Sequence, residues 1–136
     1  RQVFHSSTPL ELVSTLLTSV DLITPNLHEA KVLCPSFETP EAAAAWMSLY
    51  CAVLLKGGHD GSLESIDRLF INETVESFSS ERIIKGEKHG SGCVLSSSIA
   101  ANLALGYTLE DSCRKSKVYI SRYLSSTASL LGYHYV

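Results

Sequence analysis

Cys51-Ala-Val-Leu-Leu-Lys-Gly-Gly-His59 is the stretch that decides the fold. Cys51 to Leu55 is a continuous apolar run, the pattern of a strand buried on both faces of a parallel sheet. The run breaks at Lys56-Gly57-Gly58-His59. Before it, Thr39-Pro40-Glu41 combines a cap, a proline and an acid at a helix start, and Ala42 to Tyr50 continues that helix. Earlier still, Pro9 to Val20 repeats Leu10, Leu12, Val13, Leu16, Leu17 and Val20 near a 3.6 period, with Thr8 as cap. Asp21-Leu-Ile-Thr24 reads as a short strand stopped by Pro25, and Asn26 caps a helix running to about Cys34.

After the central run, Ile66–Ile71 and Val75–Phe78 read as a hairpin around Asn72-Glu73-Thr74. Lys85 to Gly92 reads as a polar loop. Val94 to Leu105 is small and apolar all round, the signature of a buried helix, with Gly106 as its stop. Thr108 and Asp111 form a capping-box-like pair before a last helix, decorated by Arg114, Lys115, Lys117 and Arg122. Apolar strands alternating with helices predict an α/β layer fold. Two or three parallel strands with five helices make a thin sheet, so an incomplete domain is the natural reading.

The 136 residues match less than one domain at about 150 residues each. Eleven basic against 14 acidic residues give a net charge of −3, and the pI is near 5.9. A nucleic-acid module is usually basic, with a pI above about 9, so that class is disfavoured. No apolar run approaches the roughly 18 residues of a membrane span, and no signal-peptide pattern opens the chain. The four cysteines, at 34, 51, 93 and 113, form no C-x-x-C pair and read as free thiols in a reducing compartment. His89 and Cys93 have the spacing of two metal ligands on one helix turn, but Gly90 and Gly92 argue against a helix there.

Three segments carry chemistry. His89-Gly-Ser-Gly-Cys93 leads into the helix at Val94. Its glycines permit a tight turn, and a helix start offers unpaired amides to an anion. A thiol at that place is suited to act as base or nucleophile. On spacing alone, a glycine loop with a structural cysteine is an equal reading. Lys56 follows a strand, where ligands of open α/β sheets bind and where a lysine can neutralise a transferring phosphoryl group. A lysine that merely reaches solvent is the commoner case. Asn26 and Glu29 share a helix face and can hold Mg²⁺ through water; alone, they read as a cap and a helix-stabilising acid. Taken together, a metal carboxylate, a lysine and an anion hole are the parts that phosphoryl transfer needs.

Ile23-Thr-Pro-Asn-Leu-His-Glu-Ala30, Leu54-Leu-Lys-Gly-Gly-His59 and His89-Gly-Ser-Gly-Cys93, with Ser96 and Ile99-Ala-Ala-Asn-Leu-Ala104, resemble the hydroxymethylpyrimidine/phosphomethylpyrimidine kinases of thiamine biosynthesis. These belong to the ribokinase-like superfamily. The resemblance runs in order from about Val20 to the last helix. It implies a three-layer α/β/α sandwich with a mostly parallel sheet, of which this chain is a single, partial C-terminal portion. It implies ATP and Mg²⁺ as cofactors and phosphorylation of 4-amino-5-hydroxymethyl-2-methylpyrimidine and its monophosphate. Cys93 stands where most ribokinase relatives have an aspartate base. Gly90, Ser91, Gly92 and Cys93 would form the anion hole, and Lys56 would contact the transferring phosphate. Asn26, Lys56, Gly58 and Lys117 would serve the nucleotide side, and Asn26 and Glu29 the metal. Read from the residues alone, Lys117 is rather a solvated helix lysine.

Ser91 departs from the commoner threonine. Arg1-Gln2 stand where Asp-Pro would precede a segment like Val3–Thr8. The chain opens on Arg1 rather than Met, and the resemblance implies that the N-terminal half of the family fold, with most of the pyrimidine pocket, lies outside these residues. Its apolar edge strands then need cover. The resemblance further implies a cytoplasmic homodimer, or pairing with the missing half, without membrane or nucleic-acid partners. The alternatives are a pyridoxal kinase-like vitamin kinase, which shares the cysteine loop, and a non-catalytic nucleotide-binding fragment.

Overall fold

The computed structural model describes residues 10–57, 64–83 and 88–134. The chain divides into two compact units, Arg1–Gly61 with Ile66–Ser77, and Ser62–Ser65 with Phe78–Val136.

In the first unit, α1 (Leu10–Leu17) leads to β1 (Leu22–Ile23), α2 (Leu27–Leu33), α3 (Pro40–Met47) and β2 (Ala52–Leu55). β1 and β2 pair in parallel, with Leu22 beside Ala52 and Ile23 beside Val53. β3 (Glu64–Ile71) pairs antiparallel to β2, with Val53 opposite Phe70 and Leu55 opposite Arg68. β4 (Thr74–Glu81) follows in a hairpin, completing the order β1-β2-β3-β4. The sheet is therefore mixed. Its parallel part is the β1–β2 pair, because the turn at Asn72-Glu73 returns the chain at once rather than through a crossover helix. Asn72 takes a φ of 53°, which asparagine tolerates better than most residues.

The core of this unit joins Val13 and Leu17 of α1, Ala30 of α2, Ala43, Ala44 and Met47 of α3, and Val53, Leu55 and Phe70 of the sheet. Alanines at 43 and 44 let α3 lie close, while the Thr39 side chain accepts from Ala42 N, as its sequence predicts. Leu12, Leu16, Val20 and Val32 stay exposed. Leu16 and Val32 line an apolar hollow of about 540 Å³ together with Ile23 and Pro25 at the carboxyl end of β1.

The second unit is built on α4 (Ser91–Ala104) and α5 (Leu109–Ser125), which pack against each other. Gly106, at a φ of +88°, ends the α4 segment. Thr108 accepts from Asp111 N and caps α5; Asp111 itself pairs with Arg114 at 2.6 Å rather than returning to the cap. Two expectations are corrected here. α4 begins at Ser91 rather than Val94, because Gly90 alone turns the chain and Gly92 continues as helix. Nor is α4 buried all round: Leu95 and Ile99 are its buried residues, and Leu103 is exposed. Its small side chains serve close approach, with Ser116 Oγ of α5 donating to Ser98 Oγ at 2.9 Å and Asn102 Nδ2 reaching Ser98 O. Among the described residues, no helix is long and apolar enough to cross a membrane.

Candidate active site

In the first unit, the carboxyl ends of the two parallel strands carry one cluster. Lys56 N donates to Pro25 O at 2.9 Å, and Asn26 and Lys56 form a parallel bridge beyond the named strands. Backbone pairing thus brings the second and third chemistry-bearing segments side by side. Asn26 Oδ1 accepts from Glu29 N at 2.8 Å, and Glu29 Oε2 accepts from Asn26 N at 2.7 Å. This is a complete capping box at the start of α2. The Lys56 ammonium lies 3.8 Å from Glu29 Oε2, with the lysine side chain 21% and the glutamate 53% exposed. One accessible carboxylate and one amide oxygen fit Mg²⁺, which commonly keeps several waters and takes few protein ligands. Among the described residues, no group of three His, Cys, Asp or Glu side chains gathers as a metal cage.

Gly57 is required at the end of β2 for a reason absent from its local sequence. A Cβ there would meet Ile66 O at 2.0 Å. Gly57 N donates to Asp67 Oδ1 at 3.1 Å, and Asp67 is buried. Asp67 is a site neighbour that sequence reasoning missed. Its one signal is a carboxylate inside an otherwise strand-like run, Ile66 to Ile71. Gly58 lies outside the described residues.

In the second unit, Gly90 occupies the N-cap of α4 at φ 75° and ψ 10°, in the left-handed region where glycine is favoured. It brings no side chain to the helix end, whereas Asn26, Thr39 and Thr108 cap α2, α3 and α5. The first intrahelical bond runs from Val94 N to Gly90 O. The amides of Gly92 and Cys93 precede it in the helix's positive end, where anions are stabilised. Ser91 N is turned to Lys88 O at 3.3 Å. Cys93 is in the first turn and is exposed. It borders a hollow of about 560 Å³ lined also by Val94, Ser97, Asn102, Tyr119 and His134. Tyr119 OH and His134 Nδ1 are 2.7 Å apart.

The other three thiols are buried. Burial pushes Cys34 up to about 11. It also raises Cys51, with the charge of Asp21 adding to the effect. Cys93 is the one thiol of the four open to solvent.

Lys117 is not a solvated helix lysine. It is buried, and its ammonium donates to Ser65 Oγ at 2.9 Å. It is not among the residues lining the hollow. The strand residue that receives it lies far away in sequence, so periodicity on α5 gives no sign of it.

The family model described as phosphomethylpyrimidine kinase matches residues 1–135. The chain belongs to the phosphomethylpyrimidine kinase family. The hydroxymethylpyrimidine/phosphomethylpyrimidine kinase of Staphylococcus aureus (strain MSSA476) is 32% identical over 136 residues, covering 94% of this chain and 49% of its own length. That of Escherichia coli (strain K12) is 36% identical over 126 residues, with 88% and 47% covered. Among solved structures, an ADP complex of Bacillus subtilis pyridoxal kinase superposes with a TM-score of 0.76 at 28% identity, covering 85% of this chain and 46% of that one. The chain thus has a pyridoxal kinase/ribokinase-like fold, and it spans about half the length of the curated relatives it matches.

Proposed function

We propose that this chain carries phosphoryl-transfer groups of a kinase acting on hydroxymethylpyrimidine and its monophosphate, with ATP as donor and Mg²⁺ as cofactor. The observation that carries the reading is the α4 start: a glycine cap without a side chain, two leading amides, and an exposed thiol on a hollow. Membership of the family supports it. In this reading Cys93 takes the proton of the substrate hydroxymethyl group. The freed oxygen attacks the γ-phosphorus, and the bond to the ADP oxygen breaks. The Gly92 and Cys93 amides stabilise charge on the transferring group. Lys56 neutralises phosphate charge, and the hollow beside α4 accommodates part of the nucleotide. Glu29, with Asn26, would hold Mg²⁺ through water. The ion, when bound, supplies charge neutralisation to the phosphates.

The whole protein in this reading is one kinase domain working in the cytoplasm as a homodimer, of which these residues are the C-terminal portion. An N-terminal half would supply most of the pyrimidine pocket. The exposed Leu12, Leu16 and Val32 are consistent with cover from such a segment. The likeness to a pyridoxal kinase gives a second reading, phosphorylation of pyridoxal.

The test is product mass spectrometry after incubating the full-length protein with Mg-ATP and either hydroxymethylpyrimidine or pyridoxal. Pyrimidine mono- and diphosphate are expected. Product from pyridoxal alone would transfer the assignment to the second reading. ATP binding without product from either would reduce the protein to a nucleotide-binding module.

A further inference from the structure

Lys88 is a buried lysine, 6% exposed, immediately before the His89–Cys93 segment. Its ammonium donates to Thr127 O, to Ser129 O at 2.6 Å and to Thr127 Oγ1 at 3.2 Å. An ammonium has three donors, and these contacts match that number. All three acceptors follow the C-terminal end of α5, the end of a helix that favours a cation. A buried charge is costly unless it is paired and hydrogen-bonded, so these bonds hold both partners in place.

The same residue is tied to the α4 start through its backbone. Lys88 O accepts from Ser91 N at 3.3 Å, and the next amide, His89 N, donates to Leu130 O at 2.9 Å. The tail after α5 is fastened in turn. Tyr133 N donates to Ser126 Oγ at 2.8 Å, Thr127 Oγ1 donates to Leu131 O at 2.7 Å, and a Cβ on Gly132 would strike the Tyr123 ring at 2.6 Å. This tail ends the described chain at His134, which stands against the rings of Tyr119 and Tyr123 and lines the hollow that Cys93 borders.

We propose that Lys88 is a positioning residue: its ammonium clamps the segment after α5 to the turn before α4, so that the wall of the hollow and the amides of Gly92 and Cys93 hold one geometry. The clamp deepens the kinase reading and, for its effect on rate, rests on it. Small misplacements of stabilising donors cost rate out of proportion to stability. Lys88 touches no reacting atom in this scheme; it acts through the turn and the tail.

The experiment compares wild type, Lys88→Met and Lys88→Arg in the full-length protein. Two readouts are taken: steady-state kinetics with Mg-ATP and hydroxymethylpyrimidine, and amide hydrogen exchange. For Lys88→Met, kcat falls roughly tenfold per folded molecule and the KM for ATP rises several-fold. Lys88→Arg keeps cationic donors and restores most of kcat. Exchange in Lys88→Met quickens roughly tenfold or more at His89 and across residues 129–133, while the α4 amides beyond Leu95 keep their rates. Unchanged exchange in the tail overturns the clamp. So does a wild-type kcat and KM, or exchange that quickens evenly through α4 and α5. If Lys88→Met does not fold, truncation after Ser126 replaces it, with the same kinetic loss expected and wild-type kinetics overturning the proposal. If wild type transfers no phosphate, the kinase reading fails separately, and exchange alone decides the clamp.

Discussion

Glu29→Gln separates the capping role of this side chain from the metal role proposed for it. As the third helical residue of α2, Glu29 closes the capping box on Asn26 N at 2.7 Å. Glutamine serves the same position, so the box survives the substitution. The charge is lost. The Lys56 pair spans 3.8 Å, and the glutamate is more than half exposed, which places its contribution at about 0–1 kcal/mol. Loss of a negative charge near a helix start adds about 0.3–1 kcal/mol. The fold should therefore weaken by no more than about 1–2 kcal/mol, read as a shift of the urea midpoint at constant slope. A carboxylate holding Mg²⁺ through water acts on the ion's outer shell, where removal typically costs about 10–100-fold in metal affinity or activity. ADP release measured across a Mg²⁺ titration should show that loss, with half-saturation moved to higher Mg²⁺. Wild-type turnover at wild-type Mg²⁺ dependence would refute the metal role and leave Glu29 as a cap. An activity loss matched by a collapse of the urea midpoint would refute the stability arithmetic instead.

In the full-length protein, Cys93→Ala should lower kcat by about 10²–10⁴ with ATP affinity nearly unchanged; isothermal titration beside steady-state assays checks both. Lys56→Met should lose orders of magnitude in rate, while circular dichroism shows the fold intact. Gly57→Ala should destabilise by more than about 4 kcal/mol, since the new methyl group would stand 2.0 Å from Ile66 O and the β2–β3 register must yield; near-normal thermal unfolding would contradict that geometry. Cys34, raised from 9.0 to about 11 by burial, favours the folded state fully below pH 9. That stability is lost as pH rises through the folded value, by at most about 3 kcal/mol at about 1.4 kcal/mol per unit, and Cys34→Ala should flatten this part of the pH–stability curve.

Local chemistry was the legible part of this chain. The apolar run before Lys56 is a buried strand, Thr39-Pro40 starts a helix, Asn26 and Glu29 cap another, and Gly106 ends α4. Each follows from neighbours within a few residues. The mixed sheet follows less directly, because a hairpin is written at Asn72-Glu73 but the pairing of β3 with β2 is not. The α4 start lies three residues ahead of Val94, since sequence does not say which of two glycines takes the positive φ. Most hidden of all are the hydrogen-bond partners of Lys88, Asp67 and Lys117, because each lies outside its residue's own element: Thr127 and Ser129 for the first, Gly57 for the second, Ser65 for the third. A lysine in a polar loop or on a helix gives no sign of a distant acceptor, and Asp67 on β3 gives none of its donor, Gly57 N.

Cys34, Cys51 and Cys113 are shielded, with Cys34 and Cys51 in the first unit and Cys113 in the second. Shielded thiols react with a soluble alkylating reagent only during the moments when their surroundings open. The protein therefore contains its own clocks, one pair in the first unit and one in the second, with no label to be introduced. Equal labelling rates at all three would mean that the halves of the chain breathe as one cooperative body. A faster Cys113 would mean that α5 loosens on its own schedule.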